Sequence, residues 1–70
     1  MSAVLFAIER VSKDGIIIRE KASRALVSFP ISERQLGVAQ ICEERPNDEM
    51  IAAMTAYVRE VALNWSLISR

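Results

Sequence analysis

The chain has 70 residues, nine basic and nine acidic side chains, one cysteine and no histidine. One cysteine cannot form an internal disulfide, and the lack of histidine removes the commonest zinc sites, so we expect no metal and no cofactor. Because 51% of the residues are hydrophobic and a domain this small hides only about 60% of its unfolded surface, we expect a single small domain that forms a homo-oligomer, most simply a dimer.

Residues 3–29 predict a small antiparallel meander. Residues 3–11 fit a buried strand, although a helix capped by Ser2 is an alternative for the same letters. The strand is favoured because Lys-Asp-Gly at 13–15 is hairpin chemistry, with Gly15 tolerating a left-handed conformation. The three β-branched residues 16–18 also favour a strand. A third strand at 25–29 is expected to stop at Pro30, which lacks a backbone donor.

The predicted hairpin brings charged side chains of its two strands together. In its register, Glu9 and Arg10 lie near Arg19 and Glu20, so that opposite charges pair across the strands.

The next segment, residues 33–44, predicts a short helix. Ser32 followed three residues later by Gln35 is typical of a capping box. Gly37 lowers helix stability by about 1 kcal/mol relative to alanine, and a fourth strand over residues 38–42 is therefore kept as an alternative.

Residues 48–68 predict a long C-terminal helix. Asn47 is a favourable N-cap, and Asp48 and Glu49 complement the helix dipole in the first turn. One apolar face then recurs at helical spacing, formed by Met50, Ile51, Met54, Tyr57, Val58, Val61, Trp65 and Ile68. The predicted architecture is α+β, with the long helix packed on the sheet, and an all-α bundle is the alternative.

A second apolar strip on the long helix is the main candidate for a binding surface. At about 100° per residue, Ala52, Ala56, Leu63 and Leu67 lie together, with Arg59 at their border. A helix that only covers a sheet needs one apolar stripe, so the second strip indicates a contact with a partner. The alternative is that the short helix at 33–44 covers it.

The basic residues of the predicted hairpin give a second candidate, a nucleic-acid-binding surface. A β-ribbon carrying arginines can enter a DNA groove. Interleaved acidic residues weaken this reading, since phosphate affinity depends on accumulated positive charge. The residues concerned are Arg10, Lys13, Arg19, Lys21 and Arg24.

Catalytic and cation sites are not favoured. Acyl transfer usually pairs serine or cysteine with a histidine base, which this chain lacks. Cys42 is read as a small buried hydrophobe, with a reactive thiol as the alternative. The acidic group Glu43, Glu44, Asp48 and Glu49 has no calcium-loop spacing and is read mainly as a solvated helix start.

The sequence therefore predicts a non-catalytic interaction protein that oligomerises or docks on a larger protein through the second strip. An accessory or inhibitor protein of a mobile element is one form that such a protein takes. The alternative is a dimeric nucleic-acid-binding regulator. The N-terminus has no basic residue before its short apolar run, and no apolar run is long enough to span a membrane, so we expect a cytoplasmic protein without a membrane partner.

Overall fold

The computed structural model describes residues 5–69 of the chain, and a meander of antiparallel strands fills the first half of them. Strands β1 (Phe6–Ser12), β2 (Gly15–Glu20) and β3 (Leu26–Ser32) follow one another in sequence and lie side by side. This confirms the α+β class, and the all-α alternative is wrong. The predicted start at residues 3 and 4 lies outside the described residues.

The β1–β2 hairpin forms as predicted, but the role of Gly15 differs from the prediction. Gly15 does not take a positive φ. A Cβ atom there would lie 3.0 Å from the Phe29 carbonyl oxygen and 3.3 Å from the Pro30 Cα. Because glycine has no side chain, β2 can approach β3 closely at this point.

A fourth strand in two pieces replaces the short helix predicted at residues 33–44, which is wrong. Strands β4 (Gln35–Leu36) and β5 (Gln40–Glu43) both pair with β3, on the side away from β2. The alternative of a fourth strand near residues 38–42 is the one that the structure bears out.

The hairpin between β3 and β4 explains why the capping-box signal failed. Ser32 pairs with Gln35, and the two residues between them form the turn. Glu33 and Arg34 have φ values of 52° and 60°, as in the type I′ turns that suit the twist of two-residue hairpins. The Ser-x-x-Gln spacing of a capping box is the same as the spacing of the residues that flank such a turn.

The interruption between β4 and β5 lies beside Pro30, which sits inside β3 rather than ending it. The Pro30 carbonyl accepts a hydrogen bond from the Gly37 N–H at 2.7 Å. The nitrogen and the carbonyl of a strand residue point to the same side of the strand. The Pro30 nitrogen, which carries no hydrogen to donate, therefore also points toward this interruption. The sheet tolerates Pro30 because no regular pairing occurs there.

Helix α1 (Asp48–Asn64) follows the strands. Asn47 caps it as predicted, since its Oδ1 accepts a hydrogen bond from the Met50 N–H at 2.8 Å. Asp48 and Glu49 occupy the first turn. The helix ends four residues before the predicted end at residue 68.

A Schellman motif ends the helix early. The Leu67 N–H donates to the Ala62 carbonyl at 2.8 Å, and the Ser66 N–H donates to the Leu63 carbonyl at 3.1 Å. Ser66 takes the left-handed conformation, φ 57°, that glycine usually supplies at this position. The motif turns the chain back toward the sheet, which buries Ile68.

The hydrophobic core lies between one face of the sheet and α1. Met54, Val58 and Ala62 recur every four residues along the helix and are fully buried, as expected for one face of a helix. Phe6 lies against Tyr57, with ring centroids 5.2 Å apart. The sheet contributes Phe6, Ile16, Ile18, Val27, Phe29 and Ile31.

Candidate functional site

The structure divides the predicted second strip of α1 into an exposed part and a part packed against the core. Ala52, Ala56 and Arg59 are exposed. Leu63 and Leu67 are half-buried and contact the core cluster. Leu67 is drawn in because it follows the Schellman turn, where a hydrophobic contact back to the helix is common. The leucines that were to supply most of the contact area are thus largely used in folding.

A groove with a mainly apolar lining lies between the fourth strand and the N-terminal half of α1. It has a volume of about 460 Å³. We call it the edge groove and define it by its lining residues, Gly37, Val38, Ala39, Ile41, Arg45, Asp48, Ile51 and Thr55.

Val38 gives the edge groove its most exposed apolar side chain. Its exposed fraction is 84%, although valine is among the residues most often buried in proteins. The exposure has a local cause: residues 37–39 lie in the interruption beside Pro30, where no strand pairing holds them. The same interruption brings Gly37 so close to Pro30 that a Cβ atom would lie 2.9 Å from its Cγ.

The helix side of the edge groove continues into the exposed part of the second strip. Ile51 and Thr55 line the groove. Ala52 lies three residues before Thr55 and four before Ala56, so these side chains are neighbours on the helix surface. The Thr55 hydroxyl donates to the Ile51 carbonyl at 2.8 Å, so it presents its methyl group with its polar atom already satisfied. Small and apolar side chains therefore extend from the groove onto the outer face of the helix.

One end of the edge groove carries a charged pair. Arg45 Nη2 and Asp48 Oδ1 lie 3.6 Å apart, and both side chains are largely exposed. An exposed pair of this kind contributes only about 0–1 kcal/mol to stability. Both groups can therefore be re-paired by a partner at little cost.

Sequence reasoning did not identify the edge groove, because it assigned residues 33–44 to a helix. The signal that points to it is Pro30 followed by Gly37. A proline inside a strand marks a place where the neighbouring strand does not pair, and glycine allows the close approach on the other side.

Other exposed large apolar side chains lie outside the edge groove. Trp65 has an exposed fraction of 64%, and Leu5 and Ile8 are also exposed. Trp65 was predicted to belong to the buried face of the helix, but it caps the C-terminus of α1 instead. Scattered apolar residues are normal on a protein surface, and these line no groove with Val38.

The predicted basic hairpin residues do not form one free cationic surface. Arg19 lies 3.5 Å from Glu9 and 3.5 Å from Glu43, and its Nη1 donates to the Arg24 carbonyl at 2.8 Å. The Glu9–Arg19 pair was predicted, whereas Glu20 lies opposite Phe6 rather than beside Arg10.

The remaining basic residues of this set are spread over the molecule. Arg10 is exposed on β1, Lys13 lies in the β1–β2 turn, and Lys21 and Arg24 lie in the connection between β2 and β3. Phosphate affinity rises with the number of cations that act together. Nucleic-acid binding stays a prediction, testable by a duplex affinity that falls steeply with salt.

Glu20 is a buried carboxylate that sequence reasoning did not single out. Its exposed fraction is 6%, and its carboxylate accepts hydrogen bonds from the Ser23 hydroxyl and from the N–H groups of Ser23 and Ala22. The hydrogen bond from the Ser23 hydroxyl, with those from the two backbone groups, holds the pKa of Glu20 below its ordinary value against the opposing effect of burial. Glu20 therefore orders the β2–β3 connection.

Cys42 is exposed on β5, so its reading as a buried hydrophobe is wrong. Its Sγ lies 3.8 Å from the Gln40 carbonyl oxygen.

Among residues 5–69, no three potential metal ligands of the His, Cys, Asp or Glu type cluster together. In the same residues, no helix is long and apolar enough to cross a membrane.

Comparisons with known proteins give no relative. No protein-family model matches the chain, and no curated protein or solved structure is significantly similar to it.

Proposed function

We propose that this protein is a non-catalytic interaction protein that works by binding another protein chain through the edge groove. The observation that carries the proposal is Val38, an 84% exposed valine at the rim of a groove that Ile41 and Ile51 also line. Burying such side chains at an interface removes apolar surface from water, which is the dominant favourable contribution to most protein–protein association.

The surroundings of the edge groove resemble the anatomy of protein interfaces. Its centre is apolar, and the Arg45–Asp48 pair lies at its border, as in interfaces with an apolar core and a polar rim. Ala52 and Ala56 beside it allow a partner backbone to approach closely. The proposal thus keeps the first half of the strip predicted on α1 and moves the apolar contact from Leu63 and Leu67 to Val38, Ile41 and Ile51.

The test compares three forms of the protein as baits, with the bound proteins quantified by mass spectrometry and self-association measured by sedimentation. Val38→Lys places a charge at the rim of the groove without disturbing a buried residue. Trp65→Lys is the matched control, since it replaces an exposed large apolar side chain outside the groove.

The proposal predicts that wild type and Trp65→Lys share a partner, or a self-associated form, that Val38→Lys has lost. Circular dichroism should show that all three variants fold alike. If Val38→Lys keeps every interaction of wild type, the edge groove is not the binding surface and the proposal fails.

A further inference from the structure

We propose that the occupant of the edge groove is a second copy of this chain, and that the two copies pair their β5 strands antiparallel around a two-fold axis at Ile41. The two sheets would then form one continuous sheet with both helices on the same side. This inference rests on the proposed function, because the pairing buries the edge groove.

The hydrogen-bond alternation in β3 shows which backbone groups of β5 are free to pair. The Ile31 N–H donates to the Asp14 carbonyl at 2.9 Å, which is on the β2 side. Successive strand residues direct their backbone groups to opposite sides, so Val27, four residues earlier, also points toward β2. Ile41 lies opposite Val27. Its N–H and C=O therefore point away from β3, toward the outer edge of the sheet.

That outer edge has no strand beside it among residues 5–69, since β5 pairs only with β3 there. A two-fold axis at Ile41 joins the N–H of each copy to the C=O of the other, which is a hydrogen-bonded antiparallel pair with Cα atoms about 5.5 Å apart. A two-fold interface requires such self-complementarity, in which the same patch serves both copies.

The charges near Ile41 also fit this axis. With the axis at Ile41, Gln40 lies opposite Cys42 of the other copy, and both side chains are uncharged, so no two carboxylates face each other next to the axis. An axis at Glu43 does not fit, because a β-bulge in β5 sets Glu43 opposite Leu26. Leu26 directs its backbone groups toward β5, so Glu43 pairs with β3, and the register favours Ile41 over Glu43 as the centre.

Apolar side chains of the edge groove add to the area that the four strand residues bury. A standard interface buries about 800 Å² on each partner, roughly a sixth of the 4895 Å² of accessible surface of this chain. Ile41 lies on the helix side of the sheet, as does Val27 opposite it. The two edge grooves would meet above the new strand pair, where Val38 and Ile51 of both copies can lose their exposure.

The test uses the single native cysteine as a probe of the strand pairing. From the strand geometry, the two Cys42 Cα atoms should lie about 8 Å apart in this dimer. Sedimentation equilibrium should give twice the 7.9 kDa mass of the chain, and a short bismaleimide should link the two thiols. In the control Cys42→Ser with Arg10→Cys, the thiol lies on β1 at the other edge of the sheet, and no link should form.

A pair of similarly sized variants tests the edge without affecting the core. Cys42→Glu places two new carboxylates about 8 Å apart across the axis and should weaken the dimer about tenfold at low ionic strength. Cys42→Gln, which has the same size and no charge, should stay within about twofold of wild type.

Two results overturn the inference. The first is a wild-type protein that is monomeric at millimolar concentration, and the second is a dimer that is linked through the Arg10→Cys thiol instead of Cys42. Neither result affects the proposed function, which fails only if Val38→Lys keeps every wild-type interaction.

Discussion

Gly37→Ala should destabilise the protein, because the chain at this point is too close to Pro30 for a side chain. The added Cβ would lie 2.9 Å from the Pro30 Cγ and 3.1 Å from the Pro30 carbonyl oxygen. That oxygen also accepts the Gly37 N–H at 2.7 Å, so the strand cannot move away without losing a hydrogen bond. Overpacking of this kind costs about 1–3 kcal/mol.

The measurement is urea unfolding of wild type, Gly37→Ala, Pro30→Ala and the double variant. Removing the proline ring takes away the 2.9 Å contact but leaves the carbonyl contact. The double variant should therefore be more stable than the sum of the two single effects predicts, by about 0.5–1 kcal/mol, within the range seen for residues in contact. A Gly37→Ala protein within about 0.5 kcal/mol of wild type, with additive effects in the double variant, would show that the contact with Pro30 is not strained.

Three further predictions concern the turns and the buried carboxylate. Ser66→Gly should stabilise the protein by about 1 kcal/mol, because Ser66 has φ 57° and glycine adopts this conformation without steric cost; a melting temperature equal to or below that of wild type would contradict this. Glu33→Asn with Arg34→Gly should raise the free energy of unfolding by about 1–2 kcal/mol, since both residues have positive φ and Asn-Gly is preferred in type I′ turns. Thermal melts measure this, and a loss of stability would contradict the turn assignment. The stability that Glu20 supplies should be complete above its ordinary pKa of 4.5 and be lost as pH falls below it toward the lowered folded pKa. Glu20→Gln should be less stable at pH 7 and lose less stability than wild type on acidification, and equal pH profiles would exclude this role.

The parts of the fold that could be predicted from the sequence are those with strong local signals. Asn47 followed by two acidic residues fixed the start of α1, and Lys-Asp-Gly between two apolar runs gave the β1–β2 hairpin. The Glu9–Arg19 contact was also predicted, but the register was not, because a β-bulge at Glu9 sets Arg19 opposite Ala7. In each case the determining residues are close in sequence, or are brought together by one tight turn.

The parts that could not be predicted depend on residues distant in sequence. The segment Ser32–Gln35 has letters that fit either a helix N-terminus or a two-residue hairpin. Pairing with β3 decides between them, because it offers the backbone a sheet partner that a short glycine-containing helix lacks. Pro30 within β3 is tolerated only because the opposite strand is interrupted, and the letters around Pro30 do not show this.

The binding surface predicted from the sequence differs from the edge groove for the same reason. A helix at 33–44 left the outer face of α1 as the main unexplained apolar surface. Once these residues form strands, Val38 and Ile41 lie at the sheet edge, and a new groove appears between that edge and α1. The end of the predicted strip is lost because Ser66 takes a left-handed conformation without being glycine, so Leu67 turns inward.

Pairing of two copies through β5 can be measured by NMR as the exchange rate of the Ile41 amide hydrogen at increasing protein concentration. If two copies pair through β5, this amide is free in the monomer and hydrogen-bonded in the dimer. Its exchange should slow as the concentration of wild type rises, and it should stay fast in Val38→Lys at every concentration. Exchange at Ile41 that is independent of concentration in wild type would show that two copies do not pair through β5.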